Sequence, residues 1–137
     1  GILAGVPSDL NTIHTVPLWD DTSASLDDRA RGYLDINCAS CHGSAAGAAN
    51  TSGLFLEAWR EFGREVGECK PPVAAGDGSG GLKYAIVPGD AAASILHFRM
   101  NSDETEIRMP ESGRSVIHTE GVKLIGDWID AMEPEPC

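Results

Sequence analysis

Cys38-Ala39-Ser40-Cys41-His42 is the stretch on which the reading of this 137-residue sequence turns. Two thiols three positions apart and an imidazole directly after them form one compact donor set, and the residues in front show how it is delivered. Ser25 can cap a helix whose first turn carries Asp27 and Asp28, both favourable beside the positive end of a helix dipole. Leu26, Ala30, Tyr33, Leu34 and Asn37 then recur at helical spacing and run straight into Cys38. A helix presents the motif.

Thiols at this spacing can reach both vinyl groups of a haem, while the adjacent His42 swings beneath the ring and ligates iron through its free nitrogen. Zinc is the first competitor, but a structural zinc site needs four tetrahedral ligands, and no second CxxC or HxxxH follows. A mixed site with the distant Cys69 and Cys137 is the only form left to it. A thioredoxin-like redox pair is the second competitor, and it belongs after a hydrophobic strand at the start of a helix, whereas this motif follows a helix. The sequence therefore predicts one covalent haem c on Cys38 and Cys41, with His42 as proximal ligand.

A second axial group can come from Met100, Met109, Met132, His14, His97 or His118. Met132 lies on the apolar stripe of a terminal helix and reads as core, and His14 sits in an N-terminal arm. Met109 stands in a polar loop before Pro110, where a thioether has no packing reason to be and a rigid neighbour can hold it toward iron. Met109 leads, Met100 at a helix end comes second, and His97 and His118 remain as alternatives.

Ten basic against twenty-one acidic residues give a net charge of −11, which argues against nucleic acid and for a partner with a positive rim. No run approaches the roughly 18 apolar residues that cross a bilayer, and the first six residues lack the charged head of a signal peptide. The chain reads as a mature or excised domain. Three Trp, three Phe and two Tyr are few aromatics for a core of this size, and a haem would add the missing apolar bulk. Beyond the motif two cysteines are left over, an even remainder that suggests one disulfide and an oxidising compartment, periplasmic or extracellular.

Residues 1–22 hold Pro7 and Pro17 and no sustained period, so they read as an extended arm or linker, with 23–137 as one domain. Small residues follow His42, a short helix is expected over Glu57–Val66, and the breaker-rich run from Lys70 to Gly81 is loop. Leu82–Val87 can be extended, and Asp90 caps a helix over Ala91–Met100. Val122, Ile125, Trp128, Ile129 and Met132 make the clearest amphipathic helix, Thr119–Met132.

A helix into Cys38–His42, with Met109-Pro110 ahead of a terminal helix, resembles class I-like bacterial c-type cytochromes over residues 25–137. Thr51-Ser52-Gly53-Leu54, Cys69-Lys70-Pro71-Pro72-Val73-Ala74, Val87-Pro88-Gly89-Asp90 and Met109-Pro110-Glu111-Ser112-Gly113-Arg114-Ser115 look like the cytochrome domains found beside quinoprotein sugar dehydrogenases and appended to secreted carbohydrate-binding proteins. The resemblance implies a mainly α, cytochrome c-like fold around one covalent haem, with a long loop-rich insertion between the haem motif and the distal Met. It implies Cys38 and Cys41 as thioether attachments, His42 and Met109 as iron ligands, and a Cys69–Cys137 bridge. By analogy Ala30 and Leu34 cross the last helix near Trp128, where such crossings usually place a glycine. Pro88 either offers its carbonyl to the second nitrogen of His42 or is a plain turn proline. Arg99, Arg108 and Arg114 are candidate partners of haem propionates, and Trp59 and Tyr84 line the haem pocket or are ordinary core.

These readings favour a single-electron carrier, not an enzyme, either monomeric or part of a larger chain. It would relay electrons from a donor such as a quinoprotein sugar dehydrogenase to an oxidase, another cytochrome or a secreted copper oxygenase. The rival is a haem enzyme or gas sensor with an open distal position and polar groups above the iron. A carbohydrate-binding or purely structural module ranks third, because Trp19 and Trp59 form no evident coplanar pair.

Overall fold

Ser25 does cap the first helix: its hydroxyl accepts the Asp28 N–H, and α1 spans Leu26–Cys38. The structure, a computed structural model, describes residues 5–13 and 15–137. It is mainly helical. The other helices are α2 (Gly47–Ser52), α3 (Ile95–Met100) and α4 (Thr119–Asp130), with short 3-10 turns at Leu10–Thr12 and Gly76–Ser79. Among the described residues, extended pairing is confined to two isolated parallel bridges, Glu68–Ile86 and Tyr84–Ser94.

The first and last helices pack on each other, as the resemblance implies. Ala30 and Leu34 of α1 are fully buried in one cluster with Val122, Ile125, Trp128 and Ile129 of α4. Burying such a side chain contributes roughly 1.5–3 kcal/mol apiece, so this crossing organises the domain. Trp128 completes it by donating its indole N–H to the Asp27 carboxylate at 2.7 Å. The glycine of the crossing lies on α4: a Cβ at Gly121 would overlap the Tyr33 hydroxyl of α1.

The arm touches the domain in part. Val16 approaches Gly32 so closely that a Cβ there would meet the Val16 side chain at 2.9 Å, and Trp19 packs against the core and edge-on to His118. Leu18 stays exposed.

Two expected helices differ. Glu57–Val66 is a series of turns, because the buried Arg31 guanidinium gathers the carbonyls of Glu57, Ala58 and Arg60 on itself, so they point at Arg31 instead of along a helix. The helix expected over Ala91–Met100 begins only at Ile95. Before it, the Ser94 hydroxyl bonds Val87 N–H and Asp90 C=O, and the N–H groups of Ile95 and Leu96 are taken by Tyr84 and Ala85. The segment 84–87 thus takes bonds that a longer helix would have used. Among the residues after the motif, α2 forms where no helix is expected and ends at Gly53, whose φ of +62° is the left-handed conformation that glycine adopts without strain.

The long segment after the motif is part of the core, not an appendage. Ala49, Leu56 and Val66 are fully or almost fully buried. Cys69 pairs with Cys137 across a sequence separation of 68, with Cα atoms 5.1 Å apart, tying this segment to the C-terminal tail.

Candidate functional site

Helix α1 ends at Cys38, and the chain then coils tightly enough for the N–H groups of Cys41 and His42 both to return to the Cys38 carbonyl, at 3.0 and 2.7 Å. The two thiols therefore leave the helix end on one short turn. Neither is bonded to another cysteine; Cys38 is partly buried and Cys41 exposed. Burial, reinforced by the neighbouring Cys41, pushes the Cys38 thiol up to about 12, so it is held as a neutral S–H.

His42 is fixed from both ends. Its carbonyl accepts the Leu56 N–H at 2.7 Å, and its ring Nδ1 lies 3.2 Å from the Leu54 carbonyl oxygen. A carbonyl only accepts, so Nδ1 carries the proton and Nε2 is left as a bare lone pair. Burial lowers the His42 pKa first, and Arg99 lowers it further, against the raising influence of the Leu54 bond and of Glu111. The ring is thereby kept neutral, the form in which imidazole ligates a metal. The partner of Nδ1 is thus Leu54, from the loop after α2, and not Pro88. Pro88 belongs to a turn, closed by the Asp90 N–H on the Val87 carbonyl, in which Gly89 donates to the Ile129 carbonyl.

The loop of Met109 is braced by two arginines. Met109 N–H donates to the Arg99 carbonyl at 3.0 Å, while the Arg99 Nε donates to the Ile107 carbonyl at 2.7 Å. Arg114 reaches the carbonyls of Met100, at 2.7 Å, and Met109, at 3.0 Å, and also bonds that of Ser102. Arg99 and Glu111 act electrostatically on His42, and these two residues come from the Met109 loop and the helix it rests on. The second candidate, Met100, is 5% exposed and belongs to the hydrophobic core.

The remaining candidates separate as follows. His118 stacks on Tyr33, whose hydroxyl lies 3.0 Å from its Nδ1, and His97 lies against Gly126 of α4. Met132 packs partly buried on the core. His14 lies outside the described residues. Trp59, expected in a pocket or the core, is 66% exposed, and the Tyr84 hydroxyl bonds the Cys137 carbonyl. Sequence reasoning missed Leu54 because its backbone oxygen is the functional atom, and a carbonyl leaves no mark on residue type. The zinc alternative that needed Cys69 and Cys137 is removed, because those sulfurs are bonded to each other. Among the described residues no three His, Cys, Asp or Glu side chains gather in a metal-holding group; a haem asks of these residue types only a single His.

The donor set fits a covalently attached haem: two unpaired thiols, one imidazole with its distal nitrogen free, and a braced thioether loop. Comparison with known protein families, characterised proteins and solved structures finds no match to this chain.

Proposed function

We propose that this chain is a monohaem c-type cytochrome domain that transfers single electrons, with Cys38 and Cys41 as thioether attachments and His42 and Met109 as axial ligands. The observation that carries the proposal is the fixed tautomer of His42, whose Nδ1 is bonded to Leu54 while Nε2 stays free on the residue after two unpaired thiols. A haem bound there would supply a one-electron iron couple. The chain's own residues would orient and tune it.

The Leu54 carbonyl fixes the imidazole plane and raises its basicity, as hydrogen-bond partners of ligating histidines do. Arg99 and Arg114 hold the Met109 backbone from both sides, so its thioether is delivered on a rigid loop. A sulfur ligand in that place favours the reduced state relative to a second imidazole. With His42 and Met109 both holding the iron, substrate would have no route to it, which would separate a carrier from a haem enzyme. Packing of α1 on α4 behind the motif supports the cytochrome-like arrangement. Cys41 is exposed, so the attachment turn opens to the surface, where an electron can pass to a docked protein.

The net charge of −11 favours partners with a basic docking face and encounter rates that fall with salt. The Cys69–Cys137 bridge is compatible with an oxidising periplasmic or extracellular setting. The sugar dehydrogenase, oxidase, cytochrome and copper oxygenase named from the sequence remain the proposed partner classes.

Expression in a host with cytochrome c maturation, followed by oxidised and reduced absorption spectra, tests the reading. A c-type spectrum is expected, lost on Cys38→Ala or Cys41→Ala. The methionine-to-iron charge-transfer band should disappear in Met109→Ala and persist in Met100→Ala. The reverse pattern would transfer the distal role to Met100, and a protein that takes up no haem ends the proposal.

A further inference from the structure

Of the seven arginines in the sequence, six have their guanidinium groups engaged by the protein. Arg29 donates to Trp19, Arg31 to the 57–60 turn, Arg60 to Glu57, Glu65 and Ser44, Arg64 to Cys69, Arg99 to Ile107, and Arg114 to three carbonyls. Arg29, Arg31 and Arg108 each have an Nε shielded from solvent and without a partner, but among the described residues only Arg108 makes no other hydrogen bond or ion pair through its side chain. A charged donor held out of water without an acceptor is unfavourable, and with no acceptor supplied by the protein its place suits an anion.

Its backbone is not free to wander. Arg108 N–H donates to the Glu104 carbonyl at 2.8 Å; before it the Ile107 carbonyl is held by Arg99, and after it Met109 is held at both its N–H and its carbonyl. The side chain therefore starts from a fixed point one residue from the proposed distal ligand. We infer that Arg108 binds a carboxylate of the cofactor, a haem propionate; this rests on the haem reading above.

The chemistry favours that anion over a soluble one. A guanidinium takes a carboxylate through two parallel N–H bonds. Free phosphate or another small anion would be repelled by the same loop, which carries the exposed Asp103, Glu104, Glu106 and Glu111. A carboxylate fixed covalently through Cys38 and Cys41 is delivered regardless of that field. Of the other two propionate candidates, Arg114 has both terminal nitrogens on backbone carbonyls around Met109 and Arg99 has its Nε on the Ile107 carbonyl, so each is already partly held by the protein where Arg108 is not.

The test uses holoprotein carrying haem labelled with 13C in its propionates, comparing wild type with Arg108→Gln and Arg108→Lys. Removing a positive charge beside the haem favours the oxidised, more positive state. Arg108→Gln should lower the reduced-to-oxidised ratio at a fixed applied potential about tenfold, which for a one-electron couple is a fall of 59 mV in midpoint potential. Its labelled carboxylate stretch should shift in redox-difference infrared spectra. Arg108→Lys should keep most of the potential but shift the band, because lysine cannot form the paired bonds. An unshifted band in Arg108→Gln overturns the inference whether or not the potential moves, since charge then acts without contact. Should Arg108→Gln not fold, an unshifted band in Arg108→Lys overturns it equally. An intact c-type spectrum in each variant separates this failure from failure of the haem reading, which would leave wild type itself without that spectrum.

Discussion

His42 donates from Nδ1 to the carbonyl oxygen of Leu54, 12 residues further along the chain, at 3.2 Å. That one bond joins the Cys38–His42 turn to the loop after α2. The Leu54 peptide is itself steadied by Ser52, whose hydroxyl accepts the Leu54 N–H at 3.2 Å and donates to the Ala48 carbonyl at 2.7 Å.

Replacing Ser52 by Ala should loosen this support. Loss of the two bonds is expected to cost about 1 kcal/mol of stability, read by urea unfolding. The Nδ1 proton of His42 should also exchange faster with solvent in 15N-edited NMR. Unchanged exchange would show that Leu54 holds the ring without help from Ser52.

Opening the disulfide should be the largest single loss. In the chain-entropy picture, closing a loop of this length contributes roughly 4 kcal/mol, and Cys137→Ser should lower the urea midpoint accordingly. On the proposed attachment of Cys38 and Cys41 to haem, the unfolded, unreduced wild-type protein should titrate no free thiol. Two thiols would reject the bridge.

Gly121→Ala sets two effects against each other. Alanine is the better helix former by about 1 kcal/mol, but its methyl would intrude on the Tyr33 hydroxyl and meet the His118 ring at 2.6 Å. Overpacking of this kind costs about 1–3 kcal/mol, so a net loss of up to about 2 kcal/mol is expected in thermal unfolding. Tyr33→Phe in the same background should recover part of it, because the clashing oxygen is gone.

The helices that pack on each other were legible because each carries its own signal. Ser25 with Asp27 and Asp28 marks the start of α1, and Val122, Ile125, Trp128 and Ile129 trace the buried stripe of α4. What stayed hidden depends on partners far away in sequence. Arg31 converts Glu57–Arg60 from a helix into a turn by capturing its carbonyls, and no local pattern announces a buried arginine 26 residues upstream. Ala30 and Leu34 lack the glycine that such crossings usually carry, and the close approach is made instead at Gly121 of α4, since either helix can yield the space.

The site divides in the same way. Cys38, Cys41 and His42 stand out by spacing and Met109 by its place before Pro110; the structure adds the backbone bonds that hold His42 and the Met109 loop. From the sequence Pro88 is either the partner of His42 or a plain turn proline; in the structure it is the turn proline, and the partner is a backbone oxygen of Leu54, which no residue type marks. Likewise nothing in sequence separates Arg108 from Arg99 and Arg114; only the carbonyls that the latter two hold do so.

Glu57 makes the acid response of the turn after His42 measurable. Its carboxylate accepts the Ser44 N–H and hydroxyl, each at 2.5 Å, and the Arg60 Nε at 2.6 Å, two residues beyond His42. Burial raises its pKa, but the Ser44 and Arg60 bonds outweigh that and bring it down to about 2. A folded value below the unfolded one means that this carboxylate stabilises the native state above about pH 4.5, and that the contribution is lost as pH falls toward 2. Glu57→Gln should therefore be less stable than wild type at pH 7, by about 1–2 kcal/mol after allowing for solvent screening. The gap in melting temperature between the two should narrow between pH 4.5 and pH 3 and close near pH 2. A gap that stays constant across that range would mean that Ser44 and Arg60 do not hold the ionised form, and that the turn after His42 is fixed by its backbone bonds alone.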